Sequence, residues 1–318
     1  MGFLRLLWAR PTVLLIGLAI GVVIGLNLAP DTVSPPPPPA VAAAIPKTPV
    51  EVGRTSKAPL IAATPASPDV RLQLTKLAMS GRTLNEGVFG DSLGDGVWAA
   101  LYRDLHGDKG FNVIRLSQVS TGLSRYNYVD VQQKTVGQLA ARHIDIAVFM
   151  FGANDQQGIV QDGKIYPFGT DGWKVAYGHR VDNLVNTLRQ QGAVVYWLGL
   201  PKMESHRFDN GASLINAVLA QHMAALGVEF LPTVALTSDE NGDYSAYLAE
   251  TGSKTKKLMR ANDGIHMSMA GYLRIAAPAA GAIRRDLASA APPAQIAPAP
   301  VTAPGAVTMP PSAADARP

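Results

Sequence analysis

Four short segments of this 318-residue chain carry residue types suited to nucleophilic chemistry on an acyl group. Ser92 ends the run Val88-Phe89-Gly90-Asp91-Ser92 and precedes Leu93-Gly94-Asp95-Gly96, where an apolar strand meets a glycine-flanked helix start. A serine hydroxyl is a weak nucleophile at neutral pH and needs a base within hydrogen-bond reach. Asp263-Gly264-Ile265-His266 offers His266 as that base, and Asp263 can accept from its other ring nitrogen, fixing the tautomer. Charge developing on an attacked carbonyl oxygen must meet donors already in place. The backbone N–H groups of Ser92 and Gly122, with the side-chain amide of Asn154 in Gly152-Ala153-Asn154-Asp155, are candidates for that oxyanion hole.

Each of these residues also has a plainer reading. Asp263 could cap the last helix with His266 in its first turn, and Gly122 and Asn154 could be turn residues only. Asp91 and Asp155 read as carboxylates that hold their turns through backbone N–H groups. A metal site assembled from Asp91, Asp155, Asp263 and histidines has no recognisable ligand spacing and would leave the serine unexplained, so neither metal nor cofactor is expected. Arg125, Tyr126 and Arg260 flank the chemistry-bearing segments, and His206 follows a long apolar run; these four are candidate substrate contacts. His106, His143, His179 and His222 read as surface or satisfied residues.

Taken in order, Ser92, Gly122, Asn154 and His266 resemble the four name-giving residues of the SGNH hydrolase superfamily, or GDSL-type esterases. The resemblance covers roughly residues 84 to 287. It implies a three-layer, flavodoxin-like α/β fold with a central parallel sheet of about five strands, and a serine acyl hydrolase that needs no cofactor. Trp173 to Arg180, Trp197 to Met203 and Leu258 to Tyr272 look like a bacterial membrane-anchored branch whose substrates are undefined.

The elements that must position these residues are legible as alternating patterns. Gly87 to Gly90, Phe111 to Leu116, Ile144 to Phe151, Ala193 to Leu200 and Val228 to Leu231 read as strands. Between Asp171 and Gln191 the apolar positions Val181, Leu184, Val185 and Leu188 recur at helical spacing, and Gly192 follows. Strand-helix alternation argues for a parallel sheet covered on both faces. In such a sheet, functional loops gather at the carboxyl ends of the strands, where Ser92, Gly122 and Asn154 all fall.

Outside this region the chain changes character. Arg5 and Arg10 precede an uncharged apolar run from Thr12 to Ala29, and Asp31 follows it. At about 1.5 Å per residue that run spans roughly 27 Å, close to a bilayer core. Residues 1–29 therefore read as a single-pass anchor in a bacterial cytoplasmic membrane, with all that follows outside. A cleaved signal peptide is the rival, with small residues at Ala40 to Ala44. Residues 30–83 read as a Pro/Ala-rich tether, 84–287 as the hydrolase domain and 288–318 as a disordered Pro/Ala-rich tail.

The net charge of +4 does not mark a nucleic-acid face. Residues 1–68 hold five Lys/Arg against two Asp/Glu, leaving 23 against 22 elsewhere. With no cysteine, disulfides and thiolate metal sites are excluded. The expected function is an extracytoplasmic esterase or O-deacetylase acting on an envelope glycan or other small ester. The alternatives are an O-acetyltransferase working with acetyl-transfer machinery, and a non-catalytic glycan-binding or assembly protein.

Overall fold

A computed structural model describes residues 68–291 apart from 106, 107, 109, 251, 252 and 254. The expected membrane segment, most of the tether and nearly all of the tail lie outside the described residues, as does His106. Among the described residues, no helix is long and apolar enough to cross a membrane.

Five parallel strands form the central sheet: β1 (Leu84–Gly90), β2 (Phe111–Arg115), β3 (Ile146–Met150), β6 (Val194–Leu198) and β7 (Glu229–Leu231). Their order is β2-β1-β3-β6-β7, so the chain starts near the middle, steps to one edge, then crosses back over β1 toward the other. The reversal opens a crevice at the carboxyl ends of β1 and β3. Every residue of β3 and β6 is buried, which is why those strands read as unbroken apolar runs rather than as alternating ones. In register, Phe89, Phe149 and Trp197 stack across one face with successive ring centroids 4.8 Å apart. Val88, Val148 and Tyr196 point to the other face.

Six helices among the described residues cover the sheet. Ahead of residue 84, where the sequence places the start of the hydrolase domain, α1 (Pro68–Met79) buries Leu74 and Leu77 in the same core. Its weak apolar stripe follows a proline-rich stretch and gives little sequence signal. α1 lies with α2 (Ser92–Leu105) and α6 (Met269–Ala290) on one side, where the Tyr196 hydroxyl donates to Asp286 of α6 at 2.8 Å. α6 also runs past the expected end of the domain at residue 287. α3 (Val131–Ala141), α4 (Asp171–Gln190) and α5 (His206–Leu226) make the opposite layer. Side-chain caps set three starts: Asp130 accepts from Gln133 N–H, Thr170 from Trp173 N–H and Ser268 from Gly271 N–H.

Two small hairpins sit outside the main sheet, β4 (Ile159–Gln161) with β5 (Lys164–Tyr166), and β8 (Tyr247–Ala249) with β9 (Lys256–Leu258). The first turns on Asp162-Gly163, both at positive φ (52° and 70°), as a two-residue hairpin loop requires.

Candidate active site

Ser92 is the first residue of α2, directly beyond the end of β1. Its N–H therefore has no acceptor within the helix, and the positive end of the helix dipole faces any negative charge that forms there. The side chain is half-buried and open to reaction. Its Oγ lies 2.7 Å from His266 Nε2, and His266 Nδ1 lies 2.6 Å from Asp263 Oδ2. These contacts join residues 174 positions apart in one relay.

Asp263 is not a helix cap, since Ser268 fills that role for α6. Its Oδ1 accepts from the Ile265 and His266 N–H groups, both at 2.9 Å, so the loop holds both carboxylate oxygens. Partial burial pushes its pKa up, but the bonds from the His266 ring and these two backbone groups outweigh that and hold it at about 2. The carboxylate thus stays ionised, as a partner for an imidazolium must.

The loops that carry the candidate oxyanion donors are tied together by two buried aspartates. Asp91 Oδ1 accepts from Leu93 N–H at 2.9 Å, and its Oδ2 accepts from Gly152 at 3.2 Å and Ala153 at 3.1 Å. It therefore laces the nucleophile turn to the loop that carries Asn154. Burial pushes Asp91 up to about 7 despite those three donors. Asp155 Oδ1 accepts from the N–H and the hydroxyl of Ser124, at 2.8 and 2.9 Å, while Oδ2 accepts from the Tyr177 hydroxyl at 3.0 Å. It links the Asn154 loop to the Gly122 loop and to α4.

Gly122 is required by this packing, because a Cβ there would lie 2.3 Å from Asp155 Oδ1. Asn154 Nδ2 donates to the Thr121 carbonyl at 2.9 Å, which orients the amide and uses one of its two hydrogens. Ser120 beside it holds φ at 63°, a strained backbone for a non-glycine residue, where the loop bends toward the site.

The four candidate substrate contacts fare differently. His206 is exposed at the start of α5. Arg125 donates to the Ser120 carbonyl at 2.8 Å and lies over the Tyr128 ring. Tyr126 is covered by Arg180, whose guanidinium sits 4.1 Å from the ring centroid, and burial pushes its hydroxyl pKa up. Arg260 is 1% exposed and makes its contacts inside the protein. Its Nη2 donates to the carbonyls of Lys202 at 2.6 Å and Gly264 at 2.8 Å, and Nη1 approaches Met267 Sδ. Arg260 is thus a brace beneath the Asp263–His266 loop rather than a group presented to substrate.

Sequence reasoning missed Arg180 and Tyr177. Arg180 is buried and donates to the carbonyls of Leu123 and Val160, pinning the Gly122 loop and the first hairpin. Helical spacing puts Tyr177 and Arg180 on one face of α4, yet nothing local shows that this face meets the oxyanion loops. Of the other histidines, His222 pairs with Asp182 at 2.8 Å, His143 lies 3.1 Å from Asp145, and His179 is exposed. Among the described residues there is no group of three or more acidic, His or Cys side chains placed to hold a metal ion.

The doubly wound sheet, with Ser92, Gly122, Asn154 and His266 in loops about its carboxyl edge, is the arrangement that the resemblance to the SGNH hydrolases implied. Residues 87–281 match the family described as "Protein of unknown function (DUF459)", and the chain belongs to that family. No curated protein sequence matches the chain.

Among solved structures, similar chains include an acetyl xylan esterase, at 15% identity and TM-score 0.47 over 63% of this chain and 99% of that one. A GDSL-like lipase from Bacteroides thetaiotaomicron matches at 12% identity and TM-score 0.47, over 68% and 97%. A carbohydrate esterase family 3 protein from Talaromyces cellulolyticus matches at 14% identity and TM-score 0.44, over 65% and 99%.

Proposed function

We propose that this protein is a serine acyl hydrolase, anchored by its N-terminal segment in the bacterial cytoplasmic membrane and acting outside it on a small ester such as an O-acetyl group of an envelope glycan. The observation that carries the chemistry is the continuous Ser92–His266–Asp263 relay at 2.7 and 2.6 Å. The hydroxyl oxygen attacks the ester carbonyl while His266 Nε2 takes its proton, and Asp263 stabilises the resulting imidazolium. The tetrahedral oxyanion is met by the N–H groups of Ser92 and Gly122 and by the Asn154 amide. Collapse breaks the bond to the alcohol, which leaves with the proton from His266. Water, deprotonated by the same ring, then releases the acid and restores Ser92.

The location rests on Arg5 and Arg10 ahead of the apolar run from Thr12 to Ala29. The full-length protein in detergent should hydrolyse p-nitrophenyl acetate and be labelled at Ser92 by a serine-directed phosphonate. Absence of both overturns the enzymatic reading. A phosphatase reporter fused after Pro318 should be active only outside the cytoplasm while remaining with membranes. A soluble product starting near Ala44 or Ile45 would show cleavage instead of anchoring.

A further inference from the structure

Two sequence features take no part in the chemistry above: the closely spaced glycines of Leu93-Gly94-Asp95-Gly96, and Tyr272 in the segment that follows His266. The fold brings them together. Gly94 and Gly96 lie at the start of α2, two residues apart and therefore on nearly opposite faces of the helix. A Cβ at Gly94 would lie 3.0 Å from the carbonyl oxygens of both Phe89 and Met150, so this face sits hard against the ends of β1 and β3. A Cβ at Gly96 would lie 2.0, 2.1 and 2.4 Å from three atoms of the Tyr272 ring, so the other face is covered by α6.

Gly96 stands one turn beyond Ser92, and the bond from Cα to Cβ leans back toward the N-terminus of a helix. The buried Tyr272 ring therefore fills the space over the turn that carries the nucleophile.

At its other end Tyr272 is joined to the His266 loop. It belongs to the first turn of α6, where its N–H donates to the Ser268 carbonyl at 2.9 Å. The Ser268 N–H donates to the Met259 carbonyl and the Ala261 N–H to the His266 carbonyl, both at 2.9 Å, so the loop and the helix start move as one piece. Burial pushes the Tyr272 hydroxyl pKa up to about 12, against the N–H of Met267, which donates toward the oxygen. Asp91 beside the nucleophile and Asp263 of the relay both add to that rise.

The Ser92–His266 contact at 2.7 Å is the one through which the proton passes, and it must break and re-form in each turnover. Its length has to be set by groups that do not react. Resting on the acyl-hydrolase reading above, we propose that Tyr272 is a positioning residue whose ring, seated on Gly96, sets the separation between the nucleophile turn and the loop that carries His266. A ring displaced by a methyl group at residue 96 would shift one against the other, and a misplacement of about 1 Å costs on the order of 10²-fold in rate.

The test is a double-variant cycle on the full-length protein, read as kcat and KM on p-nitrophenyl acetate. Gly96→Ala should lower kcat by about tenfold to a hundredfold with KM within about twofold, although alanine is the better helix former. Tyr272→Phe keeps the ring and should keep most of the activity, whereas Tyr272→Leu should lower kcat as Gly96→Ala does. With Leu at 272 the added methyl has no ring to displace, so Gly96→Ala should then cost less than about twofold more. Equal losses from Gly96→Ala in both backgrounds overturn the proposal, as does a folded Gly96→Ala protein with native kcat, or a Tyr272→Phe protein as impaired as Tyr272→Leu. Should Tyr272→Leu not fold, Gly96→Ala decides alone, by a loss of kcat at unchanged KM. In each of the overturning cases, native hydrolysis and phosphonate labelling at Ser92 leave the acyl-hydrolase reading standing. A native protein that shows neither sinks both.

Discussion

Asn154→Ala separates chemistry from scaffolding at one residue. In the resting protein Nδ2 donates to the Thr121 carbonyl at 2.9 Å, and the same nitrogen carries a second hydrogen. Removing a donor aimed at the oxyanion lowers kcat by roughly 10²–10³-fold, equivalent to about 3–4 kcal/mol, with KM little changed because the bond matters chiefly in the transition state. The stability cost is of a different size. Losing one neutral hydrogen bond is worth about 1 kcal/mol, and in a domain of this size that lowers Tm by roughly 2–4 °C. The Asp155 bonds to Ser124 and Tyr177 hold the two loops together without Asn154, so the turn should persist. The assay is kcat and KM on p-nitrophenyl acetate beside a thermal melt of the same preparation. An unchanged kcat in a well-folded variant, or a loss of kcat explained by a collapse in Tm, would refute the oxyanion role.

Ser92→Ala and His266→Ala should each remove on the order of 10⁵–10⁶-fold in kcat, with the double variant scarcely worse; losses that multiply would mean that the two residues do not act as one unit. Arg260→Met should leave the Lys202 and Gly264 carbonyls unpaired at about 1–3 kcal/mol each, and Arg260→Lys should recover only part because one ammonium cannot reproduce the guanidinium fork. Equal Tm and kcat in all three proteins would dismiss Arg260 as a brace. Glu86 on β1 is fully buried with neither carboxylate oxygen hydrogen-bonded among the described residues, and burial pushes its pKa to about 8. The folded state holds that proton more tightly than the unfolded chain, so its contribution is complete below about pH 4.5 and is lost as pH rises through about 8. Glu86→Gln should therefore be near neutral at pH 4 but more stable than the native protein by roughly 3–5 kcal/mol above pH 8, at 1.36 kcal/mol per unit; urea melts showing a pH-independent difference would contradict this.

The buried carboxylates also bear on how the site holds its shape. Asp91 and Asp155 spend their oxygens on backbone and hydroxyl donors from three different loops, so the nucleophile turn, the Gly122 loop and the Asn154 loop form one hydrogen-bonded unit. Arg180 and Arg260 do the same from outside, one above the Gly122 loop and one beneath the His266 loop. A catalytic geometry set by loops becomes rigid when the loops are cross-braced by groups that cannot find other partners in the interior.

Much of this protein was legible in the amino-acid order. All five sheet strands lie within or overlap the apolar runs read from it, and β3 and β6 are the clearest because strands buried on both faces must be continuously apolar. Ser92, Asn154 and His266 stood out as candidates because acyl transfer needs particular functional groups, and the structure brings Ser92 and His266 within hydrogen-bond distance. Other features had no local signal. Pro68–Met79 joins the core through Leu74, Leu77 and the partly buried Val70, too short a stripe to outweigh its proline-rich approach. Arg260 looked like a cleft residue because a charged side chain beside a catalytic loop is usually solvated; only tertiary packing buries it against Lys202 and Gly264. Tyr177 and Arg180 carry no mark of the oxyanion loops they support, since those partners lie far away in sequence. The sequence by itself determined which chemistry is available, because that depends on residue type. The tertiary structure decided which polar groups meet the substrate and which brace the site, because that depends on burial.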